Sequence, residues 1–303
     1  MKTLFRLNDI VLVIVVIASM AAAIVFPDFG ARFQALPFYC LMINFFLSYL
    51  SIDLADVWKV LKGHSREILG FTVLKLAILP VIIYFIAPQY ALSALLLTGV
   101  SSGVVSPMIS NMVKGNSSLV LVFVVITSAL APFTLPALIK VVVAKEVAIS
   151  FLAMLKMLAV VIFIPIAIVE IIRYLTPKLV APILKIQFPV SLFMFALINL
   201  GVFYRYASFF KKESMVIIMA TIVVFILAAI YCIVGILFFR KGSLENQLAG
   251  AVMLGNINNV LVIVFSSEFF GPIEPLVAAM YMIPFFVIVI PLRYYRRRKT
   301  RKH

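Results

Sequence analysis

The sequence predicts an all-α polytopic membrane protein with about ten transmembrane helices, and three observations support this prediction. Hydrophobic residues make up 65% of the 303 residues and the mean hydropathy is +1.22, whereas soluble globular domains are about half apolar. Charged residues make up 12%, which is about half of their usual share. The apolar residues form runs near the roughly 20 residues with which a helix crosses a bilayer. These observations exclude a soluble globular fold.

Ten apolar runs follow one another along the chain. They lie near residues 10–27, 36–56, 68–87, 91–113, 117–142, 150–173, 189–205, 214–239, 245–267 and 274–292. The short loops between them leave no room for a separate soluble domain. Lys2 and Arg6 before the first run would also fit a signal peptide, but we expect a retained first span because the count of ten requires it.

The net charge of +15 is explained by membrane topology, and a nucleic-acid partner is not expected. If the N-terminus is inside, one face collects Lys2, Arg6, Lys59, Lys62, Arg66, Lys114, Arg173, Lys178, Lys185, Arg240, Lys241 and the tail from Arg293 to Lys302. The other face receives only Arg32, Lys140, Lys145, Arg205, Lys211 and Lys212. Basic residues favour cytoplasmic loops, so we expect an inner-membrane protein with both termini in the cytoplasm.

A polar stretch interrupts the fourth apolar run. It contains Ser101, Ser102, Gly103, Ser106 and Pro107. Glycine and serine weaken a helix and proline removes a backbone donor, so we expect the helix to break here. A broken helix at membrane depth is tolerated only where it is buried in protein or lines a cavity. A half-helix that starts near Pro107 would direct its positive end at the break, which suits a carboxylate or a sulfonate.

A second polar stretch interrupts the ninth run, with Gly255 at the expected break and three asparagines, Asn256, Asn258 and Asn259, beside it. If the ten spans divide into two halves of five, 1–145 and 146–303, the fourth and the ninth spans occupy equivalent places in these halves. Broken spans in equivalent places are expected of an inverted-repeat secondary transporter. The polar side chains either line a substrate site or hydrogen-bond neighbouring helices; they are Ser101, Ser102, Ser106, Asn256, Asn258 and Asn259.

The order of the motifs is similar to that of the bile acid:sodium symporter family over nearly the whole chain. The matching segments are Leu47 to Leu54 at the second-span exit, Ser106 to Gly115, Ala131-Pro132, and Gly255 followed by Asn258. The resemblance implies two inverted five-helix repeats, with a panel domain of spans 1, 2, 6 and 7 and a core domain of spans 3–5 and 8–10. The first repeat is then 1–145, and the second is 146–303 with its basic cytoplasmic tail. It also implies alternating-access transport of organic anions, usually driven by sodium.

The sodium ligands that the resemblance implies are largely replaced in this sequence. Ser106 keeps its oxygen, whereas the other positions carry Lys75, Pro107, Val120, Val124, Met253 and Ile257. A hard cation prefers oxygen ligands, and these six side chains supply none. We therefore expect no metal site, with Ser106 as the single retained candidate ligand, no cofactor, and sodium or a proton as the alternatives for a coupling ion.

Lys75 is the ionisable residue placed deepest in an apolar run. One interpretation is that its amine extends along the helix to the cytoplasmic interface, as we expect of Lys156 near a span end. The other is that its ammonium replaces the lost sodium or exchanges a proton, since ionisable groups inside a membrane are commonly functional. Asn44 and Asn199 are expected to be satisfied within the helix bundle, and the many Phe and Tyr residues to face lipid and interfaces.

The expected function is transport of a small organic anion or a bile-acid-like amphiphile, with the lipid bilayer and that substrate as partners. Gly99-Val100-Ser101-Ser102-Gly103 spells the G-x-S-x-G motif of serine hydrolases. The only histidines, His64 and His303, lie outside the apolar runs, so an enzyme is not expected. The alternatives are a sodium symporter with a rearranged site, a broken-helix channel, and a transport-dead sensor.

Overall fold

The computed structural model of the chain describes residues 7–52, 54–143 and 150–301. These residues form helices, and the described part contains no strand, so the all-helical fold class is confirmed. Four basic residues discussed above and the terminal histidine lie outside the described residues: Lys2, Arg6, Lys145, Lys302 and His303. Residue 53 of the matching segment Leu47 to Leu54 also lies outside them.

The first half of the described chain runs from residue 7 to residue 143. Its α-helices are α1 (Leu7–Val25), α2 (Pro27–Ala31), α3 (Pro37–Tyr49), α4 (Leu54–Val73), α5 (Leu79–Ile86), α6 (Ala91–Gly99), α7 (Ser106–Val113) and α8 (Ser117–Leu138). Two π-helical turns, Leu74–Ile78 and Ile139–Val143, continue α4 and α8. A 3-10 turn, Pro88–Tyr90, precedes α6.

The second half runs from residue 150 to residue 301. Its α-helices are α9 (Phe151–Leu175), α10 (Val180–Lys185), α11 (Gln187–Phe203), α12 (Ala207–Lys212), α13 (Ser214–Phe238), α14 (Leu244–Gly255), α15 (Asn259–Phe269), α16 (Ile273–Met280), α17 (Met282–Val287) and α18 (Val289–Thr300). The 3-10 turns are Pro177–Leu179 and Tyr204–Tyr206.

Six helical segments are long and apolar enough to cross a membrane: Val57–Ile86, Ser117–Val143, Phe151–Leu175, Gln187–Lys212, Met215–Phe238 and Ile273–Thr300. Shorter apolar helices are Ile14–Val25, Pro37–Tyr49 and Asn259–Phe269. The chain is therefore an integral membrane protein. The fourth and ninth apolar runs do not form one long helix each, because α6 is separated from α7 and α14 from α15.

The chain forms two compact units, and each draws on both halves of the sequence. Unit 1 comprises the described residues of Met1–Ile52, Lys156–Ala220 and Val260–Ala279. Unit 2 comprises those of Asp53–Leu155, Thr221–Asn259 and Met280–His303. The division into five-helix repeats at 1–145 and 146–303 stays a prediction.

Unit 1 is organised around α11, which packs against α1 and α3. Gly201 allows this close approach, since a Cβ there would lie 2.7 Å from a ring carbon of Pro37. On α9, the Arg173 guanidinium donates to the carbonyl oxygens of Tyr49 (3.3 Å), Leu50 (3.2 Å) and Ile52. A cation at a helix C-terminus offsets the partial negative charge of its unpaired carbonyls, so Arg173 caps α3.

Unit 2 has an aromatic core and two helices in backbone contact. The ring of Phe71 lies within 5.1 Å of the rings of Phe123, Phe238 and Phe239. Helices α13 and α14 meet at Gly235 and Gly250, where a Cβ on either residue would overlap the carbonyl oxygen of the other. Small residues permit this approach between membrane helices.

Local sequence explains where α8 and α14 begin and how the helix that carries Lys75 is distorted. Asn116 caps α8 by accepting a bond from Leu119 N at 3.1 Å, and Ser243 caps α14 by accepting one from Asn246 N at 3.2 Å. These are residue types that commonly cap helix N-termini.

The π-helical turn that contains Lys75 lies just before Pro80, which has no N–H to donate. Single π-turns inside helices are frequent at functional sites.

Candidate functional site

The first helix break lies between α6 and α7 and belongs to unit 2. Helix α6 ends at Gly99, Val100 is extended with φ −74° and ψ 161°, and α7 begins at Ser106. Ser101, Ser102 and Gly103 therefore occupy non-helical backbone. Pro107 lies in the first turn of α7, where its missing N–H costs nothing. The N-terminus of α7 thus starts at the break.

The second break also lies in unit 2, at the end of α14. This helix ends at Gly255, Asn256 has φ −100° and ψ 89°, and α15 begins at Asn259. Of the three asparagines, Asn256 and Asn258 are in the non-helical segment and Asn259 is the first residue of α15. Asn256 and Asn259 are buried, and Asn258 is 8% exposed.

The two breaks cross and hydrogen-bond each other's backbone. Gly103 N donates to Asn256 O at 2.7 Å, and Asn258 N donates to Ser101 O at 3.0 Å, so that Ser102 and Ile257 form an antiparallel bridge. Unpaired backbone groups in hydrocarbon cost several kcal/mol each, about 2–7 kcal/mol by transfer. Each break therefore supplies partners that the other needs. We call this segment pair, residues 100–105 and 256–258, the crossing.

Gly103 is required by the close approach of the two backbones. A Cβ at this position would lie 2.8 Å from Ile257 O and 3.4 Å from Asn256 O. Even alanine would push the segments apart. The hydrogen bond from Gly103 N to Asn256 O is the shorter of the two backbone bonds. A separation of the two segments would therefore disturb this bond most.

Two serine hydroxyls bind backbone carbonyls across the crossing. Ser102 Oγ donates to Met253 O at 2.5 Å, and Ser106 Oγ donates to Asn256 O at 3.0 Å. Thr127 on α8 adds a third contact by accepting a bond from Ser102 N at 3.2 Å. Sequence reasoning missed Thr127, because a threonine inside an apolar helix usually bonds its own helix, as Thr127 also does to Phe123 O.

Three oxygen atoms at the crossing have no hydrogen-bond partner among the described residues. They are Ser101 Oγ, Asn256 Oδ1 and Asn259 Oδ1, all on buried residues. The amide nitrogens of the same asparagines are engaged, since Asn256 Nδ2 donates to Phe285 O and Asn259 Nδ2 lies 3.0 Å from Met282 Sδ. Buried polar atoms are normally paired, so these three oxygens can accept bonds from a bound species.

Lys75 does not reach an interface. Its side chain is 1% exposed, and its Nζ donates to Thr98 O at 3.3 Å, one residue before the end of α6. The interpretation of a lysine extending to the cytoplasmic surface is therefore wrong, whereas Lys156 is exposed. Within the described part of the chain, no carboxylate forms an ion pair with Lys75.

Two tyrosines hold the ends of α6 and α14. The hydroxyl oxygens of Tyr231 and Thr98 are 2.6 Å apart, and Tyr281 Oη donates to Gly255 O at 2.9 Å. The two rings lie side by side, with centroids 6.1 Å apart. Both tyrosines are fully buried, so the expectation that tyrosines face lipid is wrong for this pair. In the sequence, the position of these two tyrosines inside apolar runs was the only indication that they are buried.

The positions that the resemblance assigns to sodium do not fit that ion in this structure. Ser106 Oγ, the retained candidate ligand, already donates to Asn256 O. When it is protonated, Lys75 places a positive charge at the end of α6, beside which a second cation would be repelled. The side chains of Val120, Val124, Met253 and Ile257 are buried and carry no oxygen.

Asn44 and Asn199, both expected to be satisfied within the helix bundle, lie in unit 1. Asn199 Nδ2 donates to Val16 O at 3.1 Å and to Ser19 Oγ at 3.0 Å, while its Oδ1 has no partner among the described residues. Asn44 Nδ2 is buried and has no partner among the described residues, so the expectation of a satisfied Asn44 is wrong. Among the described residues, no group forms a hydrogen bond with the hydroxyl of Ser101 in the G-x-S-x-G motif, whereas a serine nucleophile needs a base within hydrogen-bonding reach.

A comparison with known families finds a match over most of the chain. The sequence profile described as the Sodium Bile acid symporter family matches residues 10–244. The match begins inside α1, includes α2 to α13 and the first break, and ends at the first residue of α14. No curated protein matches the chain. The family resemblance drawn from the order of the motifs is confirmed by the profile match.

Proposed function

The chain belongs to the sodium bile acid symporter family, and from this membership we propose that it is a secondary active transporter. Its substrate is a small organic anion or a bile-acid-like amphiphile, which it carries by alternating access. The observation that carries the proposal is the crossing, where two interrupted helices bond each other's backbone and leave polar oxygens unpaired. Paired helix breaks of this kind form the binding sites of secondary transporters.

The N-terminal end of α7 is the part of the crossing that suits an anion. The aligned peptide dipoles of a helix place about half a positive charge at its N-terminus. Helix α7 begins at Ser106 with no side-chain cap, and Ser101 offers a buried hydroxyl close by in sequence. A carboxylate or sulfonate at this end would be stabilised by the dipole and by the hydroxyl.

Lys75 is proposed to act as a built-in cation at the C-terminal end of α6. This end carries the partial negative charge of unpaired carbonyls, and the ammonium group contacts one of them, Thr98 O. An ammonium group that keeps its proton at this place removes the need for a bound sodium ion. Alternatively, a Lys75 amine that takes up and releases its proton would couple transport to protons, and neither role uses sodium.

One observation favours a second candidate, a sodium symporter with a rearranged site. Ser101 Oγ, Asn256 Oδ1 and Asn259 Oδ1 are oxygen atoms without partners among the described residues. Oxygen ligands are what a hard cation prefers. A sodium-dependent rise in stability would favour this candidate over the role of Lys75 as the replacement.

The proposal is tested by reconstitution into liposomes. We expect vesicles loaded with cholate to take up labelled cholate faster than empty vesicles, with saturation, because a carrier exchanges substrate across the membrane. The same vesicles should pass no steady ionic current. A current without counterflow would indicate a channel, and binding of cholate without either would indicate a sensor.

We further propose an inner-membrane location with both termini in the cytoplasm, on the basis of the basic residues at one face. The test uses a chain in which Cys40 and Cys232 are replaced by alanine and Thr300 by cysteine. In intact cells, an impermeant maleimide should leave the cysteine at residue 300 unmodified until the membrane is opened. Labelling of intact cells would contradict the orientation.

A further inference from the structure

We propose that Tyr231 is the positioning residue of Lys75: its hydroxyl fixes Thr98 at the end of α6, so that the Thr98 carbonyl receives the Lys75 ammonium. This inference rests on the role proposed above for Lys75. Tyr231 touches no part of the crossing backbone in the contacts described above. It acts through Thr98.

The first step of the argument is the direction of the hydrogen bonds around Thr98. A threonine hydroxyl has one hydrogen to donate. Thr98 Oγ1 lies 2.5 Å from Ala94 O, a carbonyl that can only accept. The hydrogen of Thr98 is therefore used on Ala94, and the bond of 2.6 Å to Tyr231 must be donated by the tyrosine. The chain of bonds runs from Tyr231 through Thr98 to Ala94.

The second step is the isolation of Lys75. The helices packed against its π-helical turn are α4, α5, α6 and α8. Helices α6 and α8 contain no titratable side chain, and α5 contributes only Tyr84. The charged and titratable residues of α4 precede Lys75 by eight residues or more, about 12 Å along the helix; they are Asp56, Lys59, Lys62, His64, Arg66 and Glu67.

The third step joins the two. A lysine ammonium has three hydrogens, and within the described part of the chain Lys75 has one protein acceptor, Thr98 O, at 3.3 Å. The position of this carbonyl therefore decides how well the ammonium is held. The Thr98 residue is fixed on one side by its own helix and on the other by Tyr231. Loss of the tyrosine hydroxyl should loosen the acceptor and hence the ammonium.

The test is a double-mutant cycle on the purified full-length protein in detergent, followed by circular dichroism during heating. Tyr231→Phe removes the hydroxyl and keeps the ring, and Lys75→Met removes the ammonium and keeps an unbranched apolar stem of four heavy atoms. We expect Tyr231→Phe to lower the Tm by about 2 °C to 4 °C, and to lower it by less than half of that when Lys75 is already methionine. An equal loss in both backgrounds would overturn the proposal.

Thr98 and Tyr281 supply the matched variants. Thr98→Ser keeps the hydroxyl that accepts from Tyr231 and should lower the Tm less than Thr98→Val, which leaves the buried Tyr231 hydroxyl without its acceptor. The effect of Thr98→Val, like that of Tyr231→Phe, should shrink when Lys75 is already methionine. Tyr281→Phe deletes an equally buried hydroxyl that bonds Gly255 O instead, and its effect should not depend on Lys75. If Tyr281→Phe shows the same dependence on Lys75 as Tyr231→Phe, the effect is not specific to Thr98 and the proposal is overturned.

If Lys75→Met does not fold, a pH series tests the role of Tyr231 instead. A role in packing alone would make Tyr231→Phe lower the Tm equally from weakly acidic to alkaline pH. A role in holding the ammonium predicts that the pH at which the Tm changes is displaced in Tyr231→Phe and unchanged in Tyr281→Phe. Parallel curves would overturn the proposal. No substrate is present in these measurements, so failure of cholate transport leaves their outcome unaffected.

Discussion

The hydroxyl of Ser106 donates to the carbonyl oxygen of Asn256 over 3.0 Å. The first turn of α7 is thereby joined to the residue that follows α14, and the same carbonyl also accepts the backbone bond from Gly103. One oxygen atom thus holds both a side chain and the backbone of the opposite segment. The crossing depends on this oxygen more than on any single side chain at the site.

Removal of the Ser106 hydroxyl should weaken the crossing. We expect Ser106→Ala to lower the free energy of unfolding by about 0.6 kcal/mol and by no more than about 1.7 kcal/mol, which are the mean and the maximum for hydrogen bonds between membrane helices. The measurement is the thermal unfolding of the purified protein. Ser93→Ala is the matched control, since Ser93 is also buried but its Oγ has no partner in the described part of the chain. Equal losses in the two variants would show that the bond to Asn256 contributes nothing.

A methyl group at residue 103 should separate the two segments. We expect Gly103→Ala to destabilise the protein by about 1–3 kcal/mol, as overpacking of a filled interior does, and to reduce cholate counterflow. The cause is the distance of 2.8 Å between the added Cβ and Ile257 O. Gly63→Ala is the control, because nothing lies within 4 Å of a Cβ there. Unchanged stability and transport in Gly103→Ala would contradict the close approach.

The cap on α3 predicts a large effect of Arg173. We expect Arg173→Ala to lower stability by about 1.5–3 kcal/mol, the range for hydrogen bonds to charged groups. Arg173→Lys should recover only part of it, because an ammonium lacks the planar fork of guanidinium. The comparison is Arg205→Ala, whose bridge to Glu268 is 3.8 Å long and half exposed and should be worth about 0–1 kcal/mol. A loss in Arg205→Ala as large as that in Arg173→Ala would contradict the cap.

Sodium should not stabilise the protein selectively. A ligand at a hundredfold excess over its Kd stabilises the folded state by about 2.7 kcal/mol, so a surviving sodium site would raise the Tm relative to potassium or choline at equal ionic strength. We expect no such difference. A selective rise in sodium would favour the rearranged site formed by Ser101, Asn256 and Asn259.

The charge of Lys75 should make stability or transport depend on pH. We expect Lys75→Gln to lower cholate transport or the Tm, and to remove or displace their dependence on pH, because glutamine keeps a donor for Thr98 O but carries no titrating charge. The measurements are counterflow and thermal unfolding over the same pH series. Unchanged behaviour at every pH would contradict both roles proposed for Lys75.

The helical class and the family could be predicted from the sequence because both depend on local signals. Hydropathy alone indicates membrane helices, and the order of short motifs indicates the family. The glycine, serine and asparagine content around Gly103 and Gly255 likewise marks segments that do not favour a helix, although their role in substrate binding stays a prediction.

The partners of the buried polar groups could not be predicted, because they are distant in the chain. Thr98 and Tyr231 are separated by 133 positions, and Ser102 and Met253 by 151. Nothing in the local pattern of either residue specifies the other. The same applies to Lys75. The sequence permits an amine at the interface or a buried amine, and the packing of α6 determines which of the two occurs. Tyr231 and Tyr281 were overlooked for this reason.

The contact between Gly235 and Gly250 has a mechanical consequence. Where two helix backbones touch, neither helix can move towards the other without a collision, so a movement of α14 that presses Gly250 against Gly235 displaces α13 as well. The half-helix that ends at Gly255 would therefore move together with the part of α13 around Gly235.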